Sequence, residues 1–167
     1  FPSKARAVVV ADHIISAARA KLAPFGVKVQ GGDVLHNTQL GQRWEAQGKA
    51  NPNLLVDVIY IGGVDDFGDL DVLGEAYQAP IGRNLEFHGY VFSAAGQFWH
   101  QTPLDMALSA VHEWGHLIGL GHPQTDTLDN IMDAFAHDVN SRIASFPNRR
   151  EMTELVSSNG ESTFEGW

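Results

Sequence analysis

The sequence contains no cysteine. Disulfides, thiolate metal ligands and a cysteine nucleophile are excluded within the chain, so any metal site must be built from nitrogen or oxygen. Cations are also scarce: 11 Lys and Arg stand against 20 Asp and Glu, a formal charge of −9. Nucleic-acid backbones and anionic membrane surfaces are recognised by clustered cations, so neither is an expected partner. No apolar run approaches the roughly 18 residues that a bilayer crossing requires, and no membrane span is expected. Internal repeats and low-complexity tracts are likewise missing. What the 167 residues do have is 44% apolar content, enough to bury one good core, and one domain over 1–167 is the economical reading. Eight histidines are the unusual count.

Hydrophobic spacing orders the elements. Val8, Ala11, Ile15, Ala18 and Leu22 recur at helical intervals and predict a helix over 3–23, which Pro24 stops. A competing reading makes 6–10 a strand, because Val8, Val9 and Val10 are β-branched, with Asp12 capping a shorter helix. Residues 25–30 alternate as a strand does and end at Gly31 and Gly32. One or two helical turns are expected over 42–48. The stretch 54–61, LLVDVIYI, is strand-like throughout. An acidic loop follows over 65–71, then two short strands over 72–77 and 86–93, parted by Pro80 and Gly82. This order predicts an α+β fold with an α/β-type layer of helix on sheet, not a bundle.

Chemistry concentrates in the next helix. Thr102 is a capping residue, Pro103 suits the first helical position and Asp105 stands near the positive helix end. The helix should run to about Ile118, with Leu104, Leu108, Val111 and Ile118 on its buried side and Gly119 ending it. Within it, His112 and His116 are four apart, so both imidazoles project from one face. A third ligand continuing the helix would rotate away. Gly119 lets the chain turn out, and His122 can return to the same ion. Three neutral imidazoles leave a fourth position open, which marks a catalytic zinc, and Glu113 is placed to take a proton from an activated water. Five fixed positions spaced H-E-x-x-H-x-x-G-x-x-H arise by chance about once in ten thousand chains of this composition.

With this signature the chain resembles the metzincin zinc endopeptidases, whose pattern adds a methionine turn after the third histidine; Asn130-Ile131-Met132-Asp133 fits it. The resemblance implies a twisted, mostly parallel sheet with an antiparallel edge strand, a backing helix, an active-site helix and a small C-terminal subdomain carrying the Met-turn. The upper subdomain would span about 1–122 and the lower 123–167, with Met132 as an apolar floor beneath the zinc. Among the metzincins the chain most resembles the matrixins, outside their well-known branches. Gly68–Pro80 then looks like the loop and upper edge strand that hold an extended peptide, with Leu73, Gly74, Glu75, Ala76 and Tyr77 as the substrate-binding residues. Pro123 after the third histidine is serralysin-like, and Ala134 stands where astacins and serralysins carry a zinc-reaching tyrosine. The implied activity is endoproteolysis by a zinc-activated water with Glu113 as general base. The implied partners are a protein or peptide substrate and a pro-segment or protein inhibitor, for a monomer that is secreted, extracellular or periplasmic.

Other features are weaker. Asp65, Asp66, Asp69 and Asp71 are oxygen ligands of the kind Ca²⁺ takes, as loops at this place in matrixins do; a solvated acidic loop is the alternative. His88 and His100 read as surface or hydrogen-bonded residues, Trp99 and Trp114 as core, and 142–155 as a closing helix. A second function stays open: a latent or degenerate protease serving as a zinc-bearing binding or inhibitory module, against which the intact Glu113 argues. A purely structural zinc is the third reading.

Overall fold

The computed structural model describes residues 4–29, 46, 50, 57–63, 65–76, 88–122 and 130–133. In chain order these include helix α1 (Lys4–Leu22), a 3-10 turn at Ala23–Phe25, strands β1 (Val58–Ile61), β2 (Gly74–Ala76) and β3 (His88–Val91), the short helix α2 (Ser93–Phe98) and helix α3 (Pro103–Leu117). The class is α+β.

The longer helix wins at the start of the chain, since Val8, Val9 and Val10 all lie inside α1. Its buried stripe is Ile14, Ala18 and Leu22, spaced by fours. Of the residues whose spacing predicted the helix, Ala18 and Leu22 are buried, Ala11 and Ile15 are half-buried, and Val8 is 37% exposed. A run of three valines is compatible with more than one helical phase, and the larger apolar spacing downstream decides it. Pro24 sits in the first turn of the 3-10 segment, and Gly26 then takes a left-handed φ of 78°.

Of the strand expected over 25–30, none forms among the described residues 25–29. Phe25 closes the 3-10 turn, Gly26 turns the chain, and residues 27–29 join no ladder among the described residues. Val27 and Val29 pack against the core, so their alternation records burial without strand pairing. The Val29 carbonyl accepts instead from Arg19 Nε at 2.8 Å.

The sheet has the order β1-β3-β2, with β1 parallel to β3 and β2 antiparallel to it. Tyr60 and Glu75 both pair with Tyr90, which fixes a single cross-strand row. The strand expected over 86–93 ends early: Phe92 is the N-cap residue of α2, and Ser93 opens that helix. Two backbone bonds set the switch, Phe92 N–H to the Leu73 carbonyl at 2.8 Å and Ala94 N–H to the Gly63 carbonyl at 2.9 Å. The helix-forming Ala94 and Ala95 directly after Ser93 were the available signal.

Helix α3 is the centre of the molecule. It packs against α1 and against all three strands, and every residue from Met106 to Leu117 is buried. Ala18 and Leu22 from α1 meet Leu108, Val111, Trp114 and Ile118, and Ile131 and Met132 complete this cluster. Burying a side chain such as Leu108 or Ile118 contributes about 1.5–3 kcal/mol each, which anchors the helix that carries His112 and His116. Tyr77, Pro123, Ala134, the expected helix over 142–155 and nearly all of 123–167 lie outside the described residues, as does 42–48 apart from the helical Ala46.

Candidate metal centre

Both ends of α3 are fixed by local chemistry. At the start, Thr102 Oγ1 accepts from the Asp105 N–H at 3.3 Å while Asp105 Oδ2 accepts from the Thr102 N–H at 2.7 Å, a reciprocal capping box. At the end, the Leu120 N–H donates to the Gly115 carbonyl and the Gly119 N–H to the His116 carbonyl, both at 2.9 Å. This pair of bonds is a Schellman motif, and Gly119 supplies its left-handed residue with φ 106°. The chain therefore leaves the helix at Gly119 and brings His122 back beside His112.

The three imidazoles converge. His112 Nε2 lies 3.0 Å from His116 Nε2 and 3.2 Å from His122 Nε2. A tetrahedral ion bound at roughly 2.0–2.1 Å holds its nitrogens about 3.3–3.4 Å apart, close to these separations. The opposite ring nitrogens of the first two are committed: His112 Nδ1 lies 2.8 Å from the Ile131 carbonyl, and His116 Nδ1 lies 2.8 Å from the Leu120 carbonyl. A carbonyl only accepts, so each Nδ1 carries the proton and each Nε2 presents a lone pair. Two lone pairs facing each other at 3.0 Å repel unless a cation stands between them. His112, His116 and His122 can together hold a metal ion, and they are the only such cluster among the described residues.

Burial favours the neutral form of the two helical imidazoles. It pushes His112 down from 6.5 to about 4, against a smaller opposing pull from its bond to Ile131, and it lowers His116 as well. Neutral imidazole is the form that ligates. Met132 sits under this helix: its Sδ is in direct contact with the position that a Cβ on Gly115 would occupy, and its Cε lies 3.1 Å from it. Only glycine at 115 leaves that room. The turn that carries Met132 is closed by Asn130, whose Oδ1 accepts from the Met132 N–H at 3.0 Å.

Glu113 is buried beside the first ligand. Its carboxyl is raised from 4.5 to about 8, first by burial and then by the negative charge of Glu75. Strand β2 passes against it, and a Cβ on Gly74 would collide with Glu113 Oε1 and lie 2.7 Å from the Tyr90 carbonyl oxygen. Of the expected substrate-binding residues, Leu73 is buried with Phe92 and Ala95, Gly74 meets Glu113, and Glu75 and Ala76 pair with Tyr90 and Gly89.

The acidic loop folds on itself. Asp65 Oδ1 accepts from the Asp69 N–H, and Asp69 Oδ1 accepts from the Asp71 N–H at 2.8 Å. Two of the four carboxylates thus serve as turn acceptors, and Asp65, Asp66, Asp69 and Asp71 do not gather into a metal cluster among the described residues. His88 and His100 stand outside the triad. Trp114 is core as expected, with Nε1 donating to Asp57 Oδ2 at 3.1 Å. Trp99 is a correction: it is 40% exposed and donates to the Leu70 carbonyl at 2.9 Å. The orienting carbonyls of Ile131 and Leu120 escaped sequence reasoning, because every residue carries a carbonyl and nothing in the side chains marks which one is used. Compared with known protein families, curated proteins and solved structures, the chain matches none.

Proposed function

We propose that this chain is a zinc-dependent endopeptidase of metzincin type, matrixin-like in its upper part. The observation that carries the reading is the convergence of three Nε2 atoms, those of His112 and His116 presenting lone pairs fixed by Nδ1–H donation to carbonyls, with a buried carboxyl on the residue after His112. An all-nitrogen set of three suits a borderline-soft ion such as Zn²⁺ and leaves a coordination position for chemistry. When bound, the ion supplies a Lewis acid that activates water and polarises a carbonyl.

The chain's own residues then have distinct roles. His112 and His116 hold the ion from α3, and His122 closes the site from the loop. The Glu113 carboxyl, at about 8 with no cation beside it, ionises more readily next to a dication. In that state it accepts a proton from the water whose oxygen bonds to the scissile carbonyl carbon. It returns that proton to the amide nitrogen as the C–N bond breaks, so a carboxylic acid and an amine leave. Among the described residues β2 pairs only with β3, so its other edge is the one along which an extended peptide would add. Gly74 brings that edge against Glu113, and the missing side chain is what permits the approach. Secretion and control by a pro-segment or protein inhibitor belong to this reading.

The test is cleavage of a denatured protein by the zinc-loaded chain and by Glu113→Ala. The expected result is that Glu113→Ala retains its zinc and loses at least about a hundredfold in rate, the size of a general-base contribution. Equal turnover by both proteins overturns the role given to Glu113.

A further inference from the structure

Strand β2 shows different chemistry on its two faces. Gly74 and Ala76 face the active-site helix and the inner side chains: the Gly74 position meets Glu113, and the Ala76 Cβ approaches the Gly89 position to 2.9 Å. Glu75, between them, faces the other way by strand alternation. It is exposed. Its cross-strand neighbour is Tyr90, which in turn pairs with Tyr60. The two tyrosine rings stack with centroids 5.6 Å apart and planes 24° off parallel. Tyr90 is 41% exposed, so the outer row runs Tyr60, Tyr90, Glu75 and then the edge. The carboxylate is the last group before whatever pairs with β2.

We infer that Glu75 is a specificity-determining residue that selects peptides carrying a lysine or arginine at the position paired with it on the β2 edge. The inference rests on the peptidase reading above and names the substrate class for that same site. A peptide adding to β2 alternates its side chains as β2 does. The residue opposite Glu75 then points to the outer face, and its two sequence neighbours point to the side where Glu113 lies. The selected residue is therefore within a residue or two of the bond presented to the site. Directly opposed Cβ atoms in a ladder stand about 4.5–5.5 Å apart, well inside the reach of a lysine or arginine to a glutamate carboxylate. An acidic side chain placed there would meet like charge, which is disfavoured. The formal charge of −9 on the whole chain acts in the same direction by drawing basic peptides toward it.

The experiment is an arginine scan and a glutamate scan through an otherwise neutral peptide, read in two ways. Cleavage is followed with the zinc-loaded wild type, Glu75→Gln and Glu75→Lys. Binding of the same peptides is followed by calorimetry on zinc-loaded Glu113→Ala, with and without Glu75→Gln. One scanned position should show a roughly three- to fivefold preference for arginine over the neutral residue. Glu75→Gln should erase that preference and Glu75→Lys should reverse it in favour of glutamate, each read as the ratio of charged to neutral peptide within one variant, so that a changed basal rate through Glu113 cancels. Failure of Glu75→Lys to cleave even the neutral peptide would indicate misfolding; the Glu75→Gln arms then decide. If no scanned position prefers arginine, or if the preference survives in Glu75→Gln, the role of Glu75 is overturned while the peptidase reading stands. If binding follows Glu75 but no peptide is cut, the peptidase reading fails and Glu75 remains a basic-peptide selector.

Discussion

Glu113 illustrates how one buried residue couples stability to chemistry. In the metal-free chain its pKa is raised from 4.5 to about 8, by burial and then by Glu75. Between those values the folded state holds a proton that the unfolded chain has released. Relative to its value below pH 4.5, stability therefore falls as pH rises through about 8. Glu113→Gln does not titrate, so thermal midpoints of the two metal-free proteins should diverge, with the variant gaining on the wild type from pH 4.5 to 8. A constant difference across that range would show the carboxyl is not protonated in the fold. At this scale much of the site was legible. The convergence of His112, His116 and His122 follows from the spacing of three side chains able to reach one ion, a constraint written in residue types. The groups that aim two of them were not legible. The Ile131 and Leu120 carbonyls act through backbone placement, and Glu75 declares its charge but not its nearness to Glu113.

Helix α3 is an element specified at both ends, and the two ends should respond differently to mutation. Thr102→Ala removes the cap from a terminus well away from the triad and is expected to lower stability by about 1 kcal/mol. Zinc affinity should be unchanged. Gly119→Ala forces a φ of 106° on a residue with a Cβ, at about 1–3 kcal/mol, and the displaced chain carries His122. Thermal denaturation together with competition against a chelator separates the cases: Thr102→Ala should lose only thermal stability, whereas Gly119→Ala should lose zinc affinity as well. Unchanged affinity in Gly119→Ala would mean that the glycine turn does not place the third ligand. Thr102, Asp105 and Gly119 were readable because caps and left-handed turns restrict residue type. The strands were less so. Val27 and Val29 alternate as a strand would, yet they serve burial, and the hydrogen bond that decides this comes from Arg19, ten residues away. The β3 to α2 switch at Ser93 likewise depends on the distant carbonyls of Leu73 and Gly63.

For the whole molecule, the α+β class followed from element order, and the pairing of β3 with both other strands came only with the structure. The candidate metal centre ties three parts of the chain together: α3 through His112 and His116, the loop after Gly119 through His122, and the 130–133 turn through the Ile131 carbonyl on His112. An ion that binds only this assembled state stabilises it, by about 2.7 kcal/mol at a hundred times its dissociation constant. Among the described histidines, His112, His116 and His122 converge, and His13, His88 and His100 stand outside that cluster. The central claim is that peptide hydrolysis belongs to one ion held by this triad. Stoichiometric zinc titration of the chelator-stripped chain, with cleavage of a denatured protein as the readout, tests it most directly. Activity should rise linearly from none and break at one zinc per chain, while His122→Ala shows neither tight zinc nor turnover. Cleavage by the stripped chain, or no cleavage at one bound zinc, would contradict the claim.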